Sequence, residues 1–140
     1  MKQTVENGTM VVKDYEVKID SYSREFANAK ERIKFKDLTN SQPLNEFVDK
    51  DTPTTITVNS FGALKVHNEH ADGEKDYMVF VLETPNGKLH TSSETFVRSF
   101  KDMLEEIVEC GESIDDLEIL VSKKESKNFK GQSFMTCSLA

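Results

Sequence analysis

The chain is poor in cysteine, has no glycine-rich stretch and contains no long apolar run. Its two cysteines, Cys110 and Cys137, are too few for a disulfide framework, and a reducing cytosol is the expected setting. The six glycines are scattered, so no loop of the kind that cradles phosphates is present, and there is no paired-cysteine metal motif. The longest apolar runs, such as Met78-Val79-Phe80-Val81-Leu82, are a few residues long, whereas a bilayer span needs about 20. Residues Met1 to Gly8 lack the apolar centre of a secretory signal. These absences predict a cytoplasmic chain with no membrane partner.

What is present suits a globular protein. The 140 residues match the length prior for one domain, taken as residues 1–140, and such a length supports a core without staples. Apolar residues make up 36% and charged residues 31%, and nine phenylalanines and three tyrosines argue against full disorder. The net charge of −7 weighs against a dedicated duplex-DNA binder. That charge is segregated, however. Asp102 to Glu118 holds acidic residues and no basic ones, whereas Arg24 to Lys36 and Val121 to Ala140 are predominantly basic.

Periodicity gives the elements. Thr9 to Ile19 reads as a strand, with period-2 alternation from Tyr15. Arg32-Ile33-Lys34-Phe35-Lys36 alternates cationic and apolar residues and also reads as a strand, with one face of each kind. Pro43 to Pro53 is irregular, apart from a helical turn near Leu44 to Val48. Thr54 to His67 is extended, with Gly62 marking a bulge or bend. Tyr77–Glu83 and Lys88–Thr91 flank an Asn86-Gly87 hairpin signal. Phe96, Val97, Phe100, Met103, Leu104, Ile107 and Val108 form the apolar stripe of a long helix, with Thr91 or Ser93 as N-cap and Gly111 at its end. Its other face carries Lys101, Asp102, Glu105, Glu106 and Glu109. Leu117–Ser122 and Gln132–Leu139 read as closing strands. The predicted fold is mainly β with one long helix: a small OB-like barrel or a curved antiparallel sheet, capped by an amphipathic helix at about residues 93–110.

No catalytic constellation stands out, and an enzyme is not expected. His67, His70 and Asp72 read as a solvated loop rather than a metal site, because nothing frames a third ligand. Cys137 alternates with Met135 and Leu139 and reads as a small buried apolar residue. Neither cysteine has an evident histidine partner in the sequence, so neither is expected to be a nucleophile. The acidic helix face reads first as a solvated surface, and it would also repel nucleic acid from that side. More informative are two basic segments that contain aromatics. Arg32, Lys34 and Lys36 surround Phe35, while Lys123, Lys124, Lys127 and Lys130 surround Phe129. Single strands are bound by cations that track phosphates and by rings that stack on bases. Phe35 and Phe134 are expected in the core. Phe129, in a basic turn, is the expected stacking ring.

Asp76-Tyr77-Met78-Val79-Phe80-Val81-Leu82, Gly87-Lys88-Leu89-His90-Thr91-Ser92-Ser93, Phe96-Val97-Arg98-Ser99-Phe100 and Ser126 to Leu139 together resemble small single-stranded DNA-binding proteins of phages and mobile elements of Gram-positive bacteria. The resemblance covers roughly residues 54–140. It implies an OB-like fold, non-sequence-specific binding of single-stranded DNA in replication or recombination, and no catalysis or cofactor. The chain departs from it by ending in Thr136-Cys137-Ser138-Leu139-Ala140, without the acidic tail by which many such proteins recruit replication or recombination partners. The expected phosphate contacts are Arg32, Lys34, Lys36, Lys123, Lys124, Lys127 and Lys130, with Phe129 stacking. The runner-up is a small acidic interaction protein that inhibits a host nucleic-acid enzyme by presenting its acidic helix. Oligomeric state and the choice between DNA and RNA stay open at this level.

Overall fold

Two sheets of unequal size share one core, and one of the passages between them, from Val58 to Ser60, takes a single residue, Asn59. The computed structural model describes residues 14–124 and 134–140, and residues 5–6, 9–10, 125 and 133 in backbone alone. In chain order the elements are β1 (Val5–Glu6), β2 (Thr9–Met10), β3 (Tyr15–Tyr22), α1 (Ala29–Lys36), a 3-10 turn (Leu38–Asn40), β4 (Ser41–Pro43), α2 (Leu44–Phe47), β5 (Thr54–Val58), β6 (Ser60–Asn68), β7 (Asp76–Thr84), β8 (Gly87–Thr91), α3 (Glu94–Glu109), β9 (Leu117–Glu125) and β10 (Ser133–Leu139). The five-stranded sheet runs β3-β6-β7-β8-β4 and the three-stranded sheet β10-β9-β5, while β1 and β2 pair only with each other. All pairings are antiparallel except β4 with β8. The described sheets do not close into a barrel.

The mainly β architecture with one long helix agrees with the sequence reading, but several elements differ from it. Arg32 to Lys36 is helix α1, not a strand. Thr54 to His67 is two strands in two sheets. At the corner, the Asn59 N–H donates to the Glu83 carbonyl (2.8 Å), and the Asn59 carbonyl accepts from Arg24 Nη2 (2.7 Å). The bulge expected at Gly62 lies on its partner, where the β3 register shifts between Ile19 and Ser21. A Cβ on Gly62 would collide with the Ser21 carbonyl oxygen and come within 2.7 Å of Phe35 Cζ, so this position requires glycine.

Alternation on β6 and β7 gives the five-stranded sheet two apolar faces. Phe61, Phe80 and Leu82, with Leu89 of β8, point toward α3 and the small sheet. There they meet Phe96, Phe100, Ile56, Val58, Ile119, Val121 and Met135. Leu64, Val66, Val79 and Val81 point the other way and are covered by Phe35 of α1. Helix α1 and the small sheet therefore lie on opposite sides of the five-stranded sheet. Helix α3 starts at Ser93, whose hydroxyl accepts from Phe96 N–H (3.3 Å). It ends in a Schellman turn: Gly111 N–H donates to the Val108 carbonyl and Glu112 N–H to that of Ile107, with Gly111 at φ +75°. It also guards the free edge of β10, where Cys137 N–H donates to Ser99 Oγ (2.9 Å). Val108, expected in the apolar stripe, is exposed instead. Among the described residues no helix is long and apolar enough to cross a membrane.

Candidate nucleic-acid interface

Helix α1 forms because its ends are well satisfied. Asn28 Oδ1 accepts from Glu31 N–H (3.0 Å), and Glu31 Oε1 accepts in return from Ala27 N–H (2.9 Å), a reciprocal capping arrangement. At the other end Lys34 and Lys36 occupy the last turn, and Lys88 Nζ donates to the carbonyls of Lys34 and of Asp37. Cations there complement the helix dipole. Burial around the Lys88 ammonium lowers its pKa. The five-residue alternation of cationic and apolar side chains is overridden because only Phe35 is needed by the core, while Ile33 stays 67% exposed. Phe35 is anchored by rings: Tyr22 stacks on Phe26 at 4.1 Å, and both lie against Phe35 at 4.7 and 5.6 Å. The Arg32 guanidinium rests over Phe26 at 5.3 Å.

The remaining surface of α1 is cationic. Lys30, Arg32, Lys34 and Lys36 are exposed and make no ion pair with a described residue. Asp37 is already engaged, accepting from Thr39 N–H, Thr39 Oγ1 and Asn40 Nδ2. Between α1 and the start of β3 runs a groove of about 480 Å³ whose lining includes Tyr15, Val17, Ile33 and Leu38, with Lys18 and Lys36 beside Glu16 and Asp37. Tyr15 shares its sheet face with Val17 and Ile19, and Tyr77 shares the same face with Val79 and Val81. Both rings stand past the part that Phe35 covers, at 44% and 37% exposure. The Tyr15 phenol is pushed up by partial burial and by Tyr77 nearby. Tyr15 thus borders the groove beside Ile33 and Lys36, and Tyr77 stands on the same sheet face.

The second basic group is elsewhere. Lys123 lies on the inner side of β9 and donates to the Asn45 carbonyl of α2 (3.1 Å), so its charge helps hold α2. Lys124 is exposed and pairs across the ladder with Phe134. Phe134, expected in the core, is half-buried on the outer side of the hairpin, because Met135 takes the inward position. Lys127, Phe129 and Lys130 lie outside the described residues. Arg32, Lys34 and Lys36 are therefore gathered on one helix, on the far side of the five-stranded sheet from Lys123 and Lys124. Among the described residues, the cations of α1 and the pair Lys123 and Lys124 do not form one surface.

Other clusters are explained by packing. His67 Nδ1 and Nε2 contact Asp76 (2.7 Å) and Glu69 (2.8 Å), and these hydrogen bonds raise its pKa. Both ring nitrogens are taken by carboxylates, which favours the imidazolium rather than a metal ligand. No metal-binding group of side chains occurs among the described residues. Ser41 Oγ donates to the Leu38 carbonyl (2.7 Å), so its contact with His90 Nδ1 (2.6 Å) is one in which the histidine donates. Burial lowers the His90 pKa, and the pair ties β4 to β8. Glu83 Oε1 accepts from Tyr22 OH (2.5 Å) and Ser60 Oγ (2.6 Å) beside the Asn59 corner. Cys137 is half-buried, and desolvation pushes its thiol up to about 12. Comparison with known protein families, curated proteins and solved structures finds no match.

Tyr15 and Tyr77 were not among the expected site residues. Each lies at or next to the start of a strand whose later same-parity residues are apolar, partly buried in β3 (Val17, Ile19) and buried in β7 (Val79, Val81). That tyrosine-then-valine alternation is the signal in the sequence that could have pointed to them.

Proposed function

We propose that the protein binds single-stranded DNA without sequence specificity, as an accessory to phage or mobile-element replication or recombination in the host cytoplasm. One observation carries this reading: Tyr15 and Tyr77 stand half-exposed on the sheet face that also carries the unpaired cations of α1. Phosphates follow Lys30, Arg32, Lys34 and Lys36, and bases stack on the tyrosines. In this reading the two sheets, joined at Asn59 and closed by α3, act as an OB-like partial barrel. The lysine-rich segment with Lys124, Lys127, Phe129 and Lys130 supplies a second contact for longer strands. The net charge of −7 is no obstacle, because the carboxylates of α3 lie on the opposite side of the five-stranded sheet.

The test is fluorescence anisotropy with oligo-dT and with a duplex of equal length across a salt series. Oligo-dT binds more tightly, and affinity falls as salt rises. Tyr15→Ala and Tyr77→Ala each weaken binding by about 1–3 kcal/mol with little change in salt slope. Lys34→Ala reduces the slope by roughly 0.7 for each lost phosphate contact. Equal affinity for both substrates, or no binding at low salt, sinks the reading. The alternative is then the acidic interaction protein, favoured by one observation: Asp102, Glu105, Glu106 and Glu109 make no ion pair with a described residue. Changing those residues to their amides would then abolish capture of the host enzyme.

A further inference from the structure

Ile33 and Val108 are the two most exposed large apolar side chains among the described residues, at 67% and 60%. A single exposed apolar side chain is ordinary. Here each stands among charges with a net sign, and the two net signs are opposite. Ile33 projects from α1 among Lys30, Arg32, Lys34 and Lys36. Val108 borders a groove of about 460 Å³ between α3 and β6, whose apolar lining includes Phe61, Phe80, Leu104 and Ile114 and whose charged lining includes Glu105 and Glu109. Lys101 also lines the groove, and two carboxylates against one ammonium leave it net negative. Within one chain the two patches cannot meet. Phe35 holds α1 on one face of the five-stranded sheet, while Phe96 and Phe100 hold α3 on the other.

We infer that α1 of one copy docks on the α3–β6 groove of a second copy, with Ile33 against Val108 and the lysines of α1 facing Glu105 and Glu109. The contact is heterologous, since the two patches differ, so each pair leaves one free patch of each kind and the assembly extends or closes into a ring. A single eight-residue helix covers less area than a standard stable interface, so the association is weak and screened by salt. In the single-strand-binding reading the same cations meet phosphates, so the carboxylates of α3 and the DNA compete for α1. The competition rests on that reading; the self-association does not.

Sedimentation velocity over a rising concentration series, in low and high salt, tests both. The expected result is a mass that climbs with concentration in low salt. It returns to the 15.9 kDa monomer in high salt, and to one protein per strand with an oligo-dT long enough for a single copy. Ile33→Asp and Val108→Asp each abolish the climb, with circular dichroism confirming the fold. Lys34→Glu weakens it, and adding Glu109→Lys to that variant restores it. A chain that stays monomeric at every concentration in low salt overturns the docking, as does a climb that both aspartate variants leave unchanged. Self-association that persists while oligo-dT is bound overturns the competition. Self-association without any oligo-dT binding leaves the docking in place and overturns the single-strand-binding reading.

Discussion

Helices α1 and α3 solve the same problem with opposite resources. Helix α3 buries Phe96, Phe100 and Ile107 and packs Val97, Met103 and Leu104 against the core, yet its last turns carry Glu105, Glu106 and Glu109 and no cation. Negative charge there opposes the helix dipole at about 0.3–1 kcal/mol per residue. Each large buried side chain contributes about 1.5–3 kcal/mol, so packing outweighs charge. Helix α1 buries Phe35 alone, but its first turn is reciprocally capped and its last turn is cationic, with Lys88 on its final carbonyls. A helix with a broad apolar stripe tolerates adverse charges at its end. A helix with one anchor needs its ends satisfied.

This contrast can be broken most decisively at the anchors. Phe96→Ala is expected to cost about 3–5 kcal/mol in denaturant melts. Phe35→Ala is expected to cost a similar amount and, in addition, to release α1, so that hydrogen exchange accelerates at Lys34 and Lys36 before the rest of the sheet. Intact α1 protection in Phe35→Ala would show that the ring is not its anchor. Gly62→Ala comes next, at about 1–3 kcal/mol, since the new methyl group meets both Phe35 and the Ser21 carbonyl. The caps follow at about 1 kcal/mol each for Asn28→Ala and Ser93→Ala. Helical content should fall more in α1 than in α3, because α3 retains its buried stripe; NMR secondary shifts read this directly. Smallest is Glu109→Gln, which should stabilise by about 0.5 kcal/mol at low salt and less at high salt. A destabilising effect there would mean that Glu109 has a partner within the folded chain.

What the sequence revealed follows from where it carried a redundant signal. For α3, the stripe, the serine cap and Gly111 all pointed to the same helix, and the structure has it at Glu94–Glu109. The β7–β8 hairpin was equally legible, with its turn at Pro85 and Asn86 between Thr84 and Gly87. In α1 the sequence reading failed. Period-2 alternation from Arg32 to Lys36 suggested a strand, but it supplied only Phe35 to the core, and the structure forms a helix whose start is capped by Asn28 and Glu31. The break at Asn59 was hidden, since Thr54 to Val58 and Ser60 to His67 both read as extended and only tertiary pairing divides them. Of the candidate site, the cationic cluster at Arg32, Lys34 and Lys36 was legible as composition. Its pairing with Tyr15 and Tyr77 was not, because residue order does not say how far along a sheet face a covering helix reaches.

The pairing of β5 with β9 has a consequence for how the chain reaches this structure. Thr54 meets Val121 and Val58 meets Leu117, partners about 60 residues apart in sequence. Loop closure of that span is slow compared with the neighbouring hairpins β6–β7 and β7–β8. During synthesis, at about 5–20 residues per second, β5 therefore waits several seconds for its partner. Throughout that wait the apolar side chains of Ile56 and Val58 lack β9, and β5 presents an unpaired strand edge. The nascent chain is most exposed to aggregation or chaperone capture in this interval, which closes when β9 emerges and docks on β5.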